Sequence, residues 1–226
     1  MEELRQEYGL DKSLPVQYLE WIWNVTHGDF GMSLFYRDQV GKVILERLPV
    51  TLYLGTVAFL LSAILGILVG VVSGVKRGKW IDTVTTVVAY LGVATPSFWL
   101  GILLIYVFGL QLNLLPIAGY TSPLTDFSLS IQKAILPVIC LSISGFAVTA
   151  RQVRSSMIEV IQRDYIRTAR SKGLKEVDVV FGHALKNSLI PVITVIGMNV
   201  RHLISGSVVI ESVFAIPGIG RLLVDG

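Results

Sequence analysis

The sequence predicts an all-α polytopic membrane protein with four visible transmembrane helices. Three observations carry that expectation. Of its 226 residues 53% are hydrophobic and only 15% are charged, with a mean hydropathy of +0.67. Soluble domains carry about 25% charged residues. Four long apolar runs follow one another, about 51–75, 83–110, 132–153 and 188–213. The basic residues collect in two of the segments between those runs, as they do in multi-pass proteins. The single cysteine, Cys140, lies inside an apolar run, so it reads as a small buried hydrophobe and no intrachain disulfide is possible.

Residues 1–50 read as an extracytoplasmic or interfacial segment, and 51–226 as the transmembrane domain. No apolar core of signal-peptide length occurs in the first 50 residues. Pro15 is suited to the first turn of a helix through VQYLEWIWNV. Tyr18, Trp21 and Trp23 in that helix favour the membrane–water interface. HGDFGMS (27–33) is a turn-rich loop. Val40–Leu48 is expected to be a short amphipathic helix stopped by Pro49.

The first span, 51–75, is uncharged and long enough to cross a hydrocarbon core of about 30 Å. Gly66, Gly70 and Gly74 recur every four residues, a stripe along which another helix can approach closely. The second span carries Pro96 in GVATPSFW. Proline there frees the carbonyl of Gly92, which suits either a pathway-lining wall, with Pro96 and Ser97 as candidates, or a kink for packing. The 111–131 loop has no Lys or Arg. The third span is polar for a membrane helix, with Ser142, Ser144, Gly145 and Thr149. The fourth holds Asn199, Arg201 and His202 near its middle. A charge at the bilayer centre costs about 2.5–3.5 kcal/mol on insertion scales, so these three are pathway candidates. The alternative is an arginine paired to a neighbouring subunit or reaching toward an interface. FAIPGIG near the C-terminus reads as a turn at Pro217-Gly218.

Charge orients the spans. KRGK (76–79) holds three basic residues in four, and 151–186 holds eight basic and four acidic ones. Both are therefore placed in the cytoplasm. The N-terminal 50 residues, with five Lys/Arg and eight Asp/Glu, then lie outside. Nothing visible would translocate them, so a further upstream span is expected.

The stretch 164–191, within a cytoplasmic loop at about 154–187, is the most distinctive. Taken as one helix over 161–173, it places Ile161, Tyr165, Ala169 and Gly173 at i, i+4, i+8 and i+12. The side chains shrink along that row, as close approach by a partner would require, and Arg163, Arg167, Arg170 and Lys172 surround it. Gly173 is a natural helix stop. Chemistry alone also permits an amphipathic helix held on anionic lipid. An intramembrane enzyme using His202, Ser205 and Glu211, or an anchor for another complex, are further readings. The first is weak, because one helix does not bring those three residues together.

DYIRTARSKGL…HALKNSLIP resembles the cytoplasmic coupling loop of ABC-importer permeases, in the variant of the oligopeptide/dipeptide permease family, B-type subunit. Arg167, Thr168, Ala169 and Gly173 fall on that motif's Glu-Ala-Ala-x3-Gly positions. The Glu is absent, so no Glu-mediated contact is carried over. GLDKSLPVQYLEW, GDFGMS, ERLPVTLYLG, ATPSFWLG, LLPIAGY and ESVFAIPGIGRLL agree, so the resemblance covers nearly the whole chain.

The resemblance implies a type I ABC-importer permease core in the cytoplasmic (inner) membrane of a prokaryote. Members have six spans, so the first and last are expected to be missing from this chain. It implies a heterodimer with a second permease subunit, two cytoplasmic ABC ATPases and an extracytoplasmic solute-binding protein. The cargo would be oligopeptides, dipeptides, nickel or a related small solute. Tyr165, Arg167, Thr168, Ala169, Arg170 and Gly173 become the expected ATPase-coupling residues. Glu211, Phe214, Pro217 and Gly218 become outer-gate candidates, with a surface turn as the alternative. No Gly-rich phosphate loop occurs, so ATP hydrolysis is assigned to a separate subunit. No catalytic, cofactor or metal site and no nucleic-acid partner is expected.

Overall fold

The structure, a computed structural model, describes residues 12–225, without the side chains of 201–206. Its described elements are helices, and the one β feature among them is an isolated bridge between Met32 and Gln39. The chain divides into two compact units, one ending at Pro49 and the other running from Val50 to Asp225.

In the first unit, α1 (Leu14–Thr26) opens with Pro15 in its first turn, where the missing N–H is harmless. Tyr18, Trp21 and Trp23 are all exposed, as an interfacial helix requires. Gly28 and Gly31 turn the following loop with φ of 87° and 78°. The expected stop at Pro49 is overturned, because α2 runs unbroken from Val40 to Val75 with Pro49 inside it. Proline deletes one backbone bond, and the strong helix formers Leu45, Glu46 and Leu48 before it keep the chain helical.

The second apolar run is broken at Pro96. It is two helices, α3 (Trp80–Ala94) and α4 (Ser97–Leu104), meeting at 103°. Thr95 and Pro96 between them are both extended, with ψ of 121° and 130°. The ring of a proline drives the residue before it out of the helical region, so the pair turns the chain sharply instead of kinking one helix. A π-helical segment, Ile105–Gln111, continues α4. Three helices are thus long and apolar enough to cross a membrane, and four if the bent pair is one span.

The longest of the remaining helices, α5 (Phe127–Ile161), starts before the predicted third span and ends beyond it. Asp126 caps it by accepting from the Leu129 N–H at 2.9 Å, a signal the hydropathy reading passed over. Next come α6 (Asp164–Ser171), the single turn α7 (Glu176–Asp178), a π-helical segment Val179–Ala184, α8 (Leu185–Val213) and α9 (Ile219–Asp225).

The glycine stripe predicted on the first span does bring a helix close, and that helix is α5. A Cβ on Gly66 would sit 2.7 Å from Thr149, one on Gly70 2.6 Å from the Ala150 carbonyl, and one on Gly74 2.7 Å from Met157. Lipid is as apolar as the helices, so the attraction between them comes from this close packing. Gly92 of α3 meets Ile143 and Ala147 of α5 in the same manner. Two apolar clusters result, both threaded by α5. One gathers Leu54, Leu136, Cys140, Ile210 and Phe214, and the other Val71, Val153, Met157, Ile166 and Val180.

Candidate functional site

The second cluster lies at the end of the molecule where the two basic segments meet. Gly74, two residues before KRGK, packs on Met157, and Asp82, just after it, holds Arg154. The two segments that charge assigns to the cytoplasm therefore share one end of the fold.

Sequence reasoning missed the group that joins them. Asp82 is 5% exposed. Its carboxylate accepts from Arg154 Nε at 2.5 Å and Nη2 at 2.9 Å, from Ser73 Oγ at 2.6 Å and from the Gly78 N–H at 2.9 Å. Thr85 Oγ1 donates to Ser73 Oγ at 2.9 Å. One carboxylate thus ties α2, the KRGK loop, α3 and α5. An aspartate and an arginine beside the basic segments that flank separate apolar runs were the available signal, but a sequence does not pair them.

Next to this clamp, α6 presents the candidate docking surface. The predicted row is only partly formed. Ile161 closes α5, and the chain is extended at Arg163 (ψ 148°) before α6 begins. The four-residue period therefore does not run through from Ile161. Ile166 and Ala169, three apart, turn inward onto Val153, Met157, Val179 and Val180 and are buried. Ala169 consequently faces the core, contrary to its expected place on the docking row. What α6 exposes is the opposite face, with Arg167, Thr168, Ser171 and Lys172, and Tyr165 at its edge.

Two polar staples fix this helix. Arg170 donates to both Glu176 oxygens, at 3.1 and 2.6 Å, closing the turn between α6 and α7. The Glu176 carboxylate raises the pKa of Arg170, so the pair stays ionised throughout the physiological range. Asn187 Nδ2 donates to the Tyr165 hydroxyl at 2.9 Å, tying α6 to the start of α8. Arg167, by contrast, has only a loose 3.7 Å approach to Asp164, with both side chains largely exposed. Its guanidinium is therefore more available to a partner than that of Arg170.

Gly173 has φ +75° and nothing within 4 Å of where a Cβ would be. Its role is conformational. Gly173→Asn, which tolerates the left-handed region, is expected to leave the loop intact. Gly173→Val is expected to lose about 1–2 kcal/mol of local stability, read as faster hydrogen exchange across 164–178.

At the opposite end, three of the outer-gate candidates, Glu211, Phe214 and Gly218, are buried. Glu211 is 1% exposed. Its carboxylate accepts from Thr51 Oγ1 at 2.7 Å and from the Arg221 N–H at 2.9 Å, while Thr51 Oγ1 accepts from the Ile219 N–H at 2.8 Å. Gly218 lies flush against the carboxylate, leaving no room for a Cβ. Phe214 is buried, and its carbonyl accepts from the Gly119 N–H at 2.8 Å; Pro217 is exposed.

Pro96 and Ser97 sit at the break between α3 and α4, with Ser97 and Asn199 each half-buried. The side chains of Arg201 and His202 lie outside the described residues.

Comparison with known proteins then bears on what these surfaces serve. Residues 66–226 match the family model described as binding-protein-dependent transport system inner membrane component. A Brucella abortus (strain 2308) protein named as a peptide transport system permease is 46% identical over 226 residues, covering 100% of this chain and 72% of that one. The dipeptide transport system permease protein DppB of Escherichia coli K12 is 40% identical over 246 residues, covering 99% of this chain and 73% of that protein. The fold is similar to that in a crystal structure of an amino acid ABC transporter with histidines. The TM-score is 0.56 at 19% identity, over 80% of this chain and 76% of that one.

Proposed function

The chain belongs to the family of binding-protein-dependent transport system inner membrane components, and on that premise we propose that it forms half of a peptide importer's translocation pathway and is gripped by a cytoplasmic ATPase through the exposed face of α6. As a permease subunit of an importer it is a multi-pass membrane protein, and the motor and the solute-binding protein are separate chains. Peptides are the cargo for which the Brucella and Escherichia coli relatives are named. A second permease subunit would complete the pathway.

One observation carries the docking assignment. The α6 helix buries Ile166 and Ala169 in the same cluster as Val153 and Met157 of α5, while it turns Arg167, Thr168, Ser171 and Lys172 outward. A force applied to the outer face therefore reaches a membrane span through packed side chains. The Arg170–Glu176 and Tyr165–Asn187 contacts make the loop move as a body and not flex. ATP-driven closure of the motor would shift the population between inward- and outward-facing arrangements through this lever.

The test is uptake by the complete transporter in proteoliposomes. Thr168→Trp, on the exposed face, is expected to preserve insertion and ATP hydrolysis and to lower peptide uptake about tenfold or more, a coupling loss of about 1.4 kcal/mol or above. Leu124→Trp, at an exposed site well away from the loop, is expected to transport normally. Normal uptake by the Thr168 variant removes the docking assignment.

A further inference from the structure

We propose that the cytoplasmic end of this chain carries a binding site for one anionic phospholipid, with an acyl chain lying in the groove between the last turn of α2 and residues 176–181, and the headgroup held by the KRGK loop. The inference rests on the cytoplasmic placement of this end and is independent of the peptide and ATPase assignments.

The groove is a cavity of about 210 Å³ whose side walls are apolar, with Lys76 and Glu176 at its end. One wall is Val72 and Val75 of α2, the other Val177 and Phe181. All four side chains are exposed, Val177 at 65% and Phe181 at 51%. Val72 and Val75 close the apolar helix Val40–Val75, and Val177 and Phe181 open the candidate span Glu176–Val200, so both walls stand where apolar helix meets the basic loops, which is the depth of the inner leaflet if those loops are cytoplasmic. A soluble partner would find no hydrogen-bonding group along it. An acyl chain needs none.

The end of the groove is polar, and there the charge is one-sided. Lys76 and Glu176 flank it. Glu176 is already neutralised by the two bonds from Arg170. Lys76, Arg77 and Lys79 are exposed and have no ion-pair partner among the described residues. Lys76 lines the groove and Arg77 and Lys79 follow it in the same short loop, so the cationic loop beside the groove selects a headgroup with net negative charge over a zwitterionic one. Trp80, next to the loop and 73% exposed, has the amphipathic ring that settles at headgroup depth. Such a lipid would bridge α2 and the segment that follows the coupling helix, so its headgroup would brace the lever described above.

The complete transporter, reconstituted in phosphatidylethanolamine nanodiscs with and without phosphatidylglycerol, tests this by native mass spectrometry. Wild type is expected to retain one more phosphatidylglycerol per copy of this chain than the triple variant Lys76→Gln/Arg77→Gln/Lys79→Gln. The groove-filling variant Val177→Trp is expected to lose the same lipid. All of these positions are exposed, so the variants fold, and the eight Lys and Arg of 151–186 hold the topology. Equal retention by wild type and both variants overturns the proposal. So does equal retention of phosphatidylethanolamine, which would mean that charge selects nothing. If Val177→Trp strips the ATPase while the phosphatidylglycerol count stays unchanged, the groove is a motor contact and the lipid assignment falls.

Discussion

Arg154→Met is expected to cost the folded protein about 2–3 kcal/mol, less than the loss for a fully buried ion pair because the Arg154 side chain is still 31% exposed. Asp82 would keep its charge in a site 5% exposed. Ser73 Oγ and the Gly78 N–H would remain as its donors, both neutral. The double variant Asp82→Leu/Arg154→Met removes the stranded charge and is expected to recover about half of the loss. Full recovery is not expected, because Ser73 and Gly78 lose their acceptor as well. Equilibrium unfolding in detergent micelles measures both. A single variant within about 0.5 kcal/mol of wild type would mean that water reaches the pair and that the clamp contributes only as a surface ion pair does.

Gly70→Leu is expected to be the most damaging change in the glycine stripe. A Cβ there falls 2.6 Å from the Ala150 carbonyl oxygen and 2.6 Å from Val153 Cβ. Neither neighbour is the loose end of a side chain, so α2 and α5 must separate. Overpacking of this kind costs about 1–3 kcal/mol, and here it also opens the contact that closes the second core cluster. Gly197→Ala is the control. Nothing lies within 4 Å of its Cβ, and alanine is the better helix former, so its stability should be equal or slightly higher. Equal thermal stability of Gly70→Leu and wild type in the same micelles would show that the stripe does not set the helix spacing.

The two predictions differ in how much of each contact is legible in the sequence. Gly66, Gly70 and Gly74 were readable as a helix-contact face because small residues at a four-residue period have one use in lipid. That α5 is the helix they meet could not be read, since spacing along one helix does not name its neighbour. Asp82 and Arg154 were simply two charges on the flanks of separate runs. Pairing them takes the fold, because a separation of 72 positions in the chain fixes no distance.

Two errors in the local reading have local causes. Pro49 and Pro96 carry the same ring and give opposite outcomes. Pro49 follows strong helix formers and stays inside α2, while Thr95 and Pro96 adopt extended geometry and turn the chain through 103°. On the docking stretch, a four-residue period was carried across the break at Gln162–Arg163, and Ala169 was assigned outward although Ile166, three residues before it, marks the buried side. The i, i+3 apolar pair was the better guide to the inner face.

The sequence by itself determined the helical class, the apolar runs, the clustering of basic residues between them and the motif that resembles a coupling loop. Each of these follows from composition, from a period along one helix or from a short run of residues, and so is written locally. Tertiary structure alone decided which face of α6 is free, what the glycine stripe touches, and where Asp82 and Glu211 bury their charges. Those are contacts between residues far apart in the chain, such as Thr51 with Glu211 and Asp82 with Arg154. They exist only once packing has chosen which helices lie side by side.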